Sequence, residues 1–128
     1  MAYYSHLPIY NTAFDLLKEF YLRIPKFNKQ YKYILGGEII KANILAIRII
    51  LEVNNTRDRE QRKKLLNEVI WQSESIIILL RIANELKQLG GQKSYLYLAE
   101  KSVALSKQAE GWRKSVNNTP PQNYSSAG

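Results

Sequence analysis

Hydrophobic positions at the start of the chain fall in adjacent pairs, Ile9/Tyr10, Ala13/Phe14, Leu16/Leu17 and Phe20/Tyr21, followed by Ile24. The steps of three and four between pairs place them on one face of an amphipathic helix. A helix is expected over residues 7–24: Pro8 suits a first turn, and Pro25 disfavours helical geometry at Ile24. A short basic linker, residues 25–29, leads into a second helix over residues 30–54. Within residues 39–53 only Lys41, Asn43, Arg48 and Glu52 are strongly polar. Ile44, Leu45, Ile47, Ile49, Ile50 and Leu51 point in nearly every direction, so this helix must be covered on more than one side. The charges interrupt the run well short of the ~20 apolar residues that a membrane span needs.

Asn54, Asn55 and Thr56 end that pattern, because their side chains compete for backbone groups and suit turns. Asp58 or Thr56 can cap a third helix, with Glu60 favourable in its first turn. The third helix is expected over residues 58–89. One stripe is Leu65, Val69, Ile76, Leu79, Ala83 and Leu86; a second is Leu66, Ile70, Ile77 and Leu80. Two stripes again exceed what one partner face requires. Gly90-Gly91 is expected to stop the helix, since glycine adopts the left-handed conformation after a helix end cheaply. A fourth helix is expected over residues 92–115, with the face Tyr95, Leu98/Ala99, Ser102, Leu105, Ala109 and Trp112. Residues 117–128 carry no charge and little to bury, and are expected to form a disordered tail. Four helices with short connections predict an all-α, up-down-up-down four-helix bundle over residues 1–116.

Composition agrees: four Pro and six Gly in 128 residues favour one helical domain over a many-stranded fold. The absence of cysteine excludes disulfides and thiolate metal sites. Residues 1–7 lack the basic start and apolar run of a signal peptide, which points to the cytoplasm. Charge changes the picture more. Nineteen Lys and Arg against 11 Asp and Glu give a net charge of +8, and a compact basic protein attracts polyanions, nucleic acid first among them. The densest patch is residues 57–64, with five cations and two acids. Such a run often does no more than solvate a helix start. The alternative is a phosphate-binding surface, aided by Lys26, Lys29 and Lys32 or by Arg113 and Lys114. Tyr31, Tyr33, Tyr95 and Tyr97 could stack on bases. With no base-reading motif in the chain, binding is expected to fall mainly on the backbone and to be salt-sensitive.

Catalytic chemistry finds few residues to use. His6 is the one histidine and sits in the leader, so neither a zinc site nor a histidine-activated nucleophile is expected. The glycine pairs lack the spacing of a phosphate loop. Glutamates 38, 52, 68, 74 and 85 are scattered, and a metal-dependent nuclease using Glu38 or Glu74 is the one enzymatic alternative. No enzyme activity, cofactor or metal is therefore expected. Glu74, Arg81 and Glu85 share a helix face, and Arg81 lies within an apolar segment. It is expected to be partly buried in an ion pair, or else to line a subunit interface or pore. Arg48 poses the same question: it either snorkels to water or meets a carboxylate.

One set of residues carries a family likeness over residues 7–115. Leu7-Pro8-Ile9-Tyr10 opens the first helix and Ile24-Pro25 closes it. Lys32-Tyr33-Ile34-Leu35-Gly36 and Glu38 open the second, Leu79-Leu80-Arg81-Ile82-Ala83 lies in the third, and Gly111-Trp112-Arg113-Lys114-Ser115 ends the fourth. In order and spacing the chain resembles the accessory variability determinant family of diversity-generating retroelements. That family lies within a superfamily of small four-helix bundles that includes proteins encoded in ribosomal RNA intervening sequences. The intervening-sequence branch carries a Ser-x-x-x-Asn-Ile-Ala-Glu-Gly-like motif in the second helix. Here the region reads Ala42-Asn43-Ile44-Leu45-Ala46-Ile47-Arg48, a departure that favours the retroelement branch and leaves an intervening-sequence-type bundle as the alternative. The resemblance implies a non-enzymatic basic homopentamer, arranged as a barrel around a pore. It implies binding of the retroelement reverse transcriptase and its template RNA or cDNA, in support of mutagenic reverse transcription. The residues expected to contact polyanion or transcriptase are Arg57, Arg59, Arg62, Lys63, Lys64, Arg81, Arg113 and Lys114.

Overall fold

Pro8 opens the first helix, α1 (Pro8–Arg23), at a position where a missing N–H costs no hydrogen bond. One residue of each sequence pair, Ile9, Ala13, Leu16 and Phe20, is buried. The computed structural model describes residues 6–118. α1 stops one residue before the expected end, for a different reason. Ile24 keeps helical dihedrals (φ −60°, ψ −37°). Pro25 has no N–H to continue the ladder, and the chain tightens into a single 3₁₀ turn, Ile24–Lys26.

The helix expected over residues 30–54 is broken. A four-residue helical turn, Lys29–Lys32, is followed by a kink at residues 33–34, and α2 begins only at Leu35 (Leu35–Asn55). Burial of Ile24, Phe27 and Leu35 accounts for the break, because the connector must fold back across the bundle end to place them in the core. Gly36 makes room for that return: a Cβ there would lie 2.5 Å from Ile24 Cγ2. Gly36→Ala is therefore expected to cost about 1–3 kcal/mol through overpacking. The cost should shrink in an Ile24→Ala background, a coupling that a double-mutant cycle of urea melts will read.

Asp58 caps α3 (Arg59–Glu85), its Oδ2 accepting the Gln61 N–H at 2.9 Å. Thr56 instead donates to the Glu52 carbonyl at 2.6 Å and closes α2. α3 ends four residues earlier than expected, and the glycines are not its stop. Lys87, at φ 60°, takes the left-handed position. The Gln88 N–H reaches the Ala83 carbonyl and the Lys87 N–H the Asn84 carbonyl, both at 2.9 Å, which is a Schellman closure. The early exit turns Leu89 into the core. Gly90 (φ 81°) and Gly91 (φ 142°) then redirect the chain into α4 (Gln92–Asn118). Because a side chain is strained in the left-handed region, Lys87→Gly should raise stability by about 1 kcal/mol, or ~4 °C in melting temperature.

α4 runs past the expected end, and Val116, at its far turn, is 2% exposed. Of the tail expected over residues 117–128, Asn117 and Asn118 are thus helical, and the remainder lies outside the described residues.

α1 packs on α2 and α4, and α3 packs on the same two. Each helix therefore neighbours the next, and α4 closes back on α1. Hydrogen bonds fix the directions. Asn28 N–H donates to Gln88 Oε1 at 2.6 Å and Arg23 Nε to Ser94 Oγ at 2.8 Å, gathering both connectors at one end. Arg59 reaches the Asn117 carbonyl at 2.5 Å and Arg113 reaches Asn67 Oδ1 at 2.7 Å at the other. The fold is an up-down-up-down four-helix bundle with no strand among the described residues.

Candidate nucleic-acid interface

The start of α3 and the end of α4 bring most of the expected site residues to one end of the bundle. Arg59 and Arg113 are spent largely on structure, through the bonds to Asn117 and Asn67. Arg62 lies 5.7 Å from the centre of the Trp112 ring, a cation–π contact that joins α3 to α4. Lys63 is bridged to Glu60 at 3.2 Å. Arg57, Lys64 and Lys114 are exposed, and of the seven cations here these are the ones best placed to meet a partner.

Arg81 does not join them. Arg81 is exposed rather than partly buried, and among the described residues it forms no ion pair with Glu74 or Glu85. The charge sits on the outer face of that segment, beside exposed Ile78 and Ile82, while Ile76, Leu80 and Ala83 form its core side. Arg48 is likewise exposed. Lys26, Lys29 and Lys32, with Tyr31, Tyr33, Tyr95 and Tyr97, lie at the connector end, a bundle length away from Arg57, so they cannot extend that patch.

Sequence periodicity missed an apolar face on α3. Its core side draws Leu65, Val69, Ile76 and Ala83 from one stripe, Leu66 and Leu80 from the other, and adds Ser73. Trp71 and Ile78, in neither stripe, are 67% and 62% exposed, and Ile82 is exposed beside them. Their own spacing of seven and four marks one outer helix face. A cleft between α2 and α3, lined by Lys41, Leu45, Gln72, Ser75 and Leu79, runs alongside, and Leu45 is exposed as well. On α2, Ile40, Ile44, Ile47 and Leu51 are half-buried. Cover from α1 and α3 leaves α2 with part of its apolar surface open, although a helix so apolar on many sides calls for cover on more than one of them.

Among the described residues no group of three or more His, Asp or Glu side chains lies close enough together to hold a metal. No described helix is long and apolar enough to cross a membrane. No known protein-family model matches the chain, and no curated protein matches it.

Proposed function

We propose that this protein is a non-enzymatic accessory factor of a diversity-generating retroelement. In this reading it self-assembles, as a homopentamer in the form the resemblance implies, and holds a reverse transcriptase and its template RNA or cDNA together for mutagenic copying. The observation that carries the reading is the division of the surface. A bundle of net charge +8 presents exposed cations at one end and an uncovered apolar face along α3. Contiguous exposed apolar surface on a small protein marks an association site. Exposed cations offer phosphate contacts and impart salt dependence. The likeness carried by the motifs of residues 7–115 supports the retroelement part of the reading.

The test is charge reversal at Arg57, Lys64 and Lys114, which are exposed and leave the Arg59, Arg62 and Arg113 contacts in place. Filter binding to RNA across a salt series should show weaker binding and a shallower log–log salt slope, by about 0.7 for each single-strand phosphate that is no longer neutralised. Unchanged affinity and slope in the folded variant would remove this end of the bundle from the function.

A further inference from the structure

We propose that the connector end of the bundle is a second interaction surface, and that it binds single-stranded nucleic acid. The two segments that meet there, residues 20–37 and 86–99, contain six cations and no acidic residue. One of the six, Arg23, is already committed: it pairs with Glu19, donates to Ser94 and lies 5.7 Å from the centre of the Tyr97 ring. Lys26, Lys29, Lys32, Lys87 and Lys93 form no ion pair among the described residues. Five lysines at this end are therefore left without a carboxylate partner among those residues, although Glu19, Glu38, Glu85 and Glu100 flank the two segments, and unpaired cations attract polyanions.

The fold shapes this charge into a site. Lys26 and Lys87 line one open cleft of about 670 Å³ with Asn28, Gln88 and Ser94, a volume in the range of small-ligand sites. Lys93 lines the adjoining cleft together with the paired Glu19 and Arg23 and the Tyr97 ring. The same kink that breaks the second helix ejects Tyr33, which is 75% exposed. A ring of that size left in water forgoes the gain of burying its apolar faces. Exposed aromatic faces among cations are what single-stranded nucleic acid uses: phosphates follow the positive groove while bases stack on the rings, without regard to sequence. A duplex keeps its bases stacked inside and offers Tyr33 nothing, so the surface selects single strands. This end lies about 40 Å from Arg57, the length of a 27-residue helix. The two ends thus hold different phosphates. The proposal stands on the connector end alone and does not require the retroelement reading.

Fluorescence anisotropy with an oligouridine of about 15 nucleotides, a blunt duplex of equal length and phosphatidylserine–phosphatidylcholine vesicles tests it. All variants carry substitutions at exposed positions, and their melting curves should match the parent. The oligouridine should bind more tightly than the duplex. Tyr33→Ala should weaken oligouridine binding about tenfold with the salt slope unchanged, and Tyr33→Phe should restore it. The triple variant Lys26→Ala, Lys29→Ala, Lys93→Ala should lower the slope by about 2. Oligouridine binding unaffected by either change overturns the proposal, as does an equal effect of Tyr33→Ala on the duplex. Preference for vesicles over the oligonucleotide would reassign the surface to a membrane and also overturn it. If Arg57→Ala, Lys64→Ala, Lys114→Ala alone abolishes binding, this proposal fails while the interface at the other end stands; if the connector triple alone abolishes it, the reverse holds.

Discussion

Asn43→Asp is expected to lower stability at neutral pH by about 3–5 kcal/mol, a large part of what a domain of this size possesses. Asn43 is fully buried in the middle of α2. Its Nδ2 donates to the Ala13 carbonyl of α1 at 3.1 Å, while Oδ1 has no hydrogen-bond partner among the described residues. Aspartate fits the same space, loses that donor and places a negative charge against a carbonyl oxygen. No buried cation lies among the core residues to offset it. Burial raises the folded pKa of such a carboxyl above its unfolded value of about 3.9. The penalty is thus complete above the folded pKa, shrinks as pH falls through it, and is largely gone below about pH 4. Urea melts at neutral and acid pH will show this convergence. A loss under ~1 kcal/mol at neutral pH would mean that the α1–α2 seam is not sealed as described.

Ile78→Asp combined with Trp71→Asp is expected to convert an oligomer into a stable monomer. Both side chains point to solvent in the single chain, at 62% and 67% exposure, so their replacement should change monomer stability by less than about 0.5 kcal/mol. In an assembly each would be buried at a subunit contact, where a large apolar side chain contributes roughly 1.5–3 kcal/mol. A charge placed there also carries a desolvation cost. Analytical ultracentrifugation of the parent and the double variant separates the two effects. The parent should sediment as a closed oligomer and the variant as a monomer with a full helical spectrum. A monomeric parent, or a variant that still assembles, removes α3 from the interface.

Much of this fold is legible in the sequence because the helices obey one period. One residue of each pair on α1 and the Leu98–Ser102–Leu105–Ala109 face of α4 are buried as their spacing predicts, and Asp58 caps α3 from a position that its side chain alone suggests. Sequence and structure part where tertiary packing decides. Nothing in the local pattern of residues 30–35 announces the kink, which follows from the burial of Ile24 and Phe27 at the far side of the connector. Gly90-Gly91 is the stronger stop signal in sequence, yet Lys87 takes the left-handed turn, since Leu89 gains more by entering the core. Arg81 looks internal on the strength of its apolar neighbours. Ile78 and Ile82 are themselves exposed, and an outward-facing apolar stripe has the same periodicity as an inward one. The basic patch of residues 57–64 is easy to see, but the use of Arg59, Arg62 and Arg113 as ties between α3 and α4 depends on partners far away in the chain. The connector end is harder to recognise, because its cations come from two segments that the fold alone brings together.

If this bundle assembles a reverse transcriptase with RNA, the two should travel with it through purification. Co-expression with a reverse transcriptase encoded beside its gene, followed by tag purification at low and high salt, tests this most directly. The expected result is a transcriptase–RNA complex that is retained at low salt and released as salt rises. Recovery of a clean oligomer carrying neither transcriptase nor RNA at any salt would contradict the retroelement role, and would favour an intervening-sequence-type bundle instead.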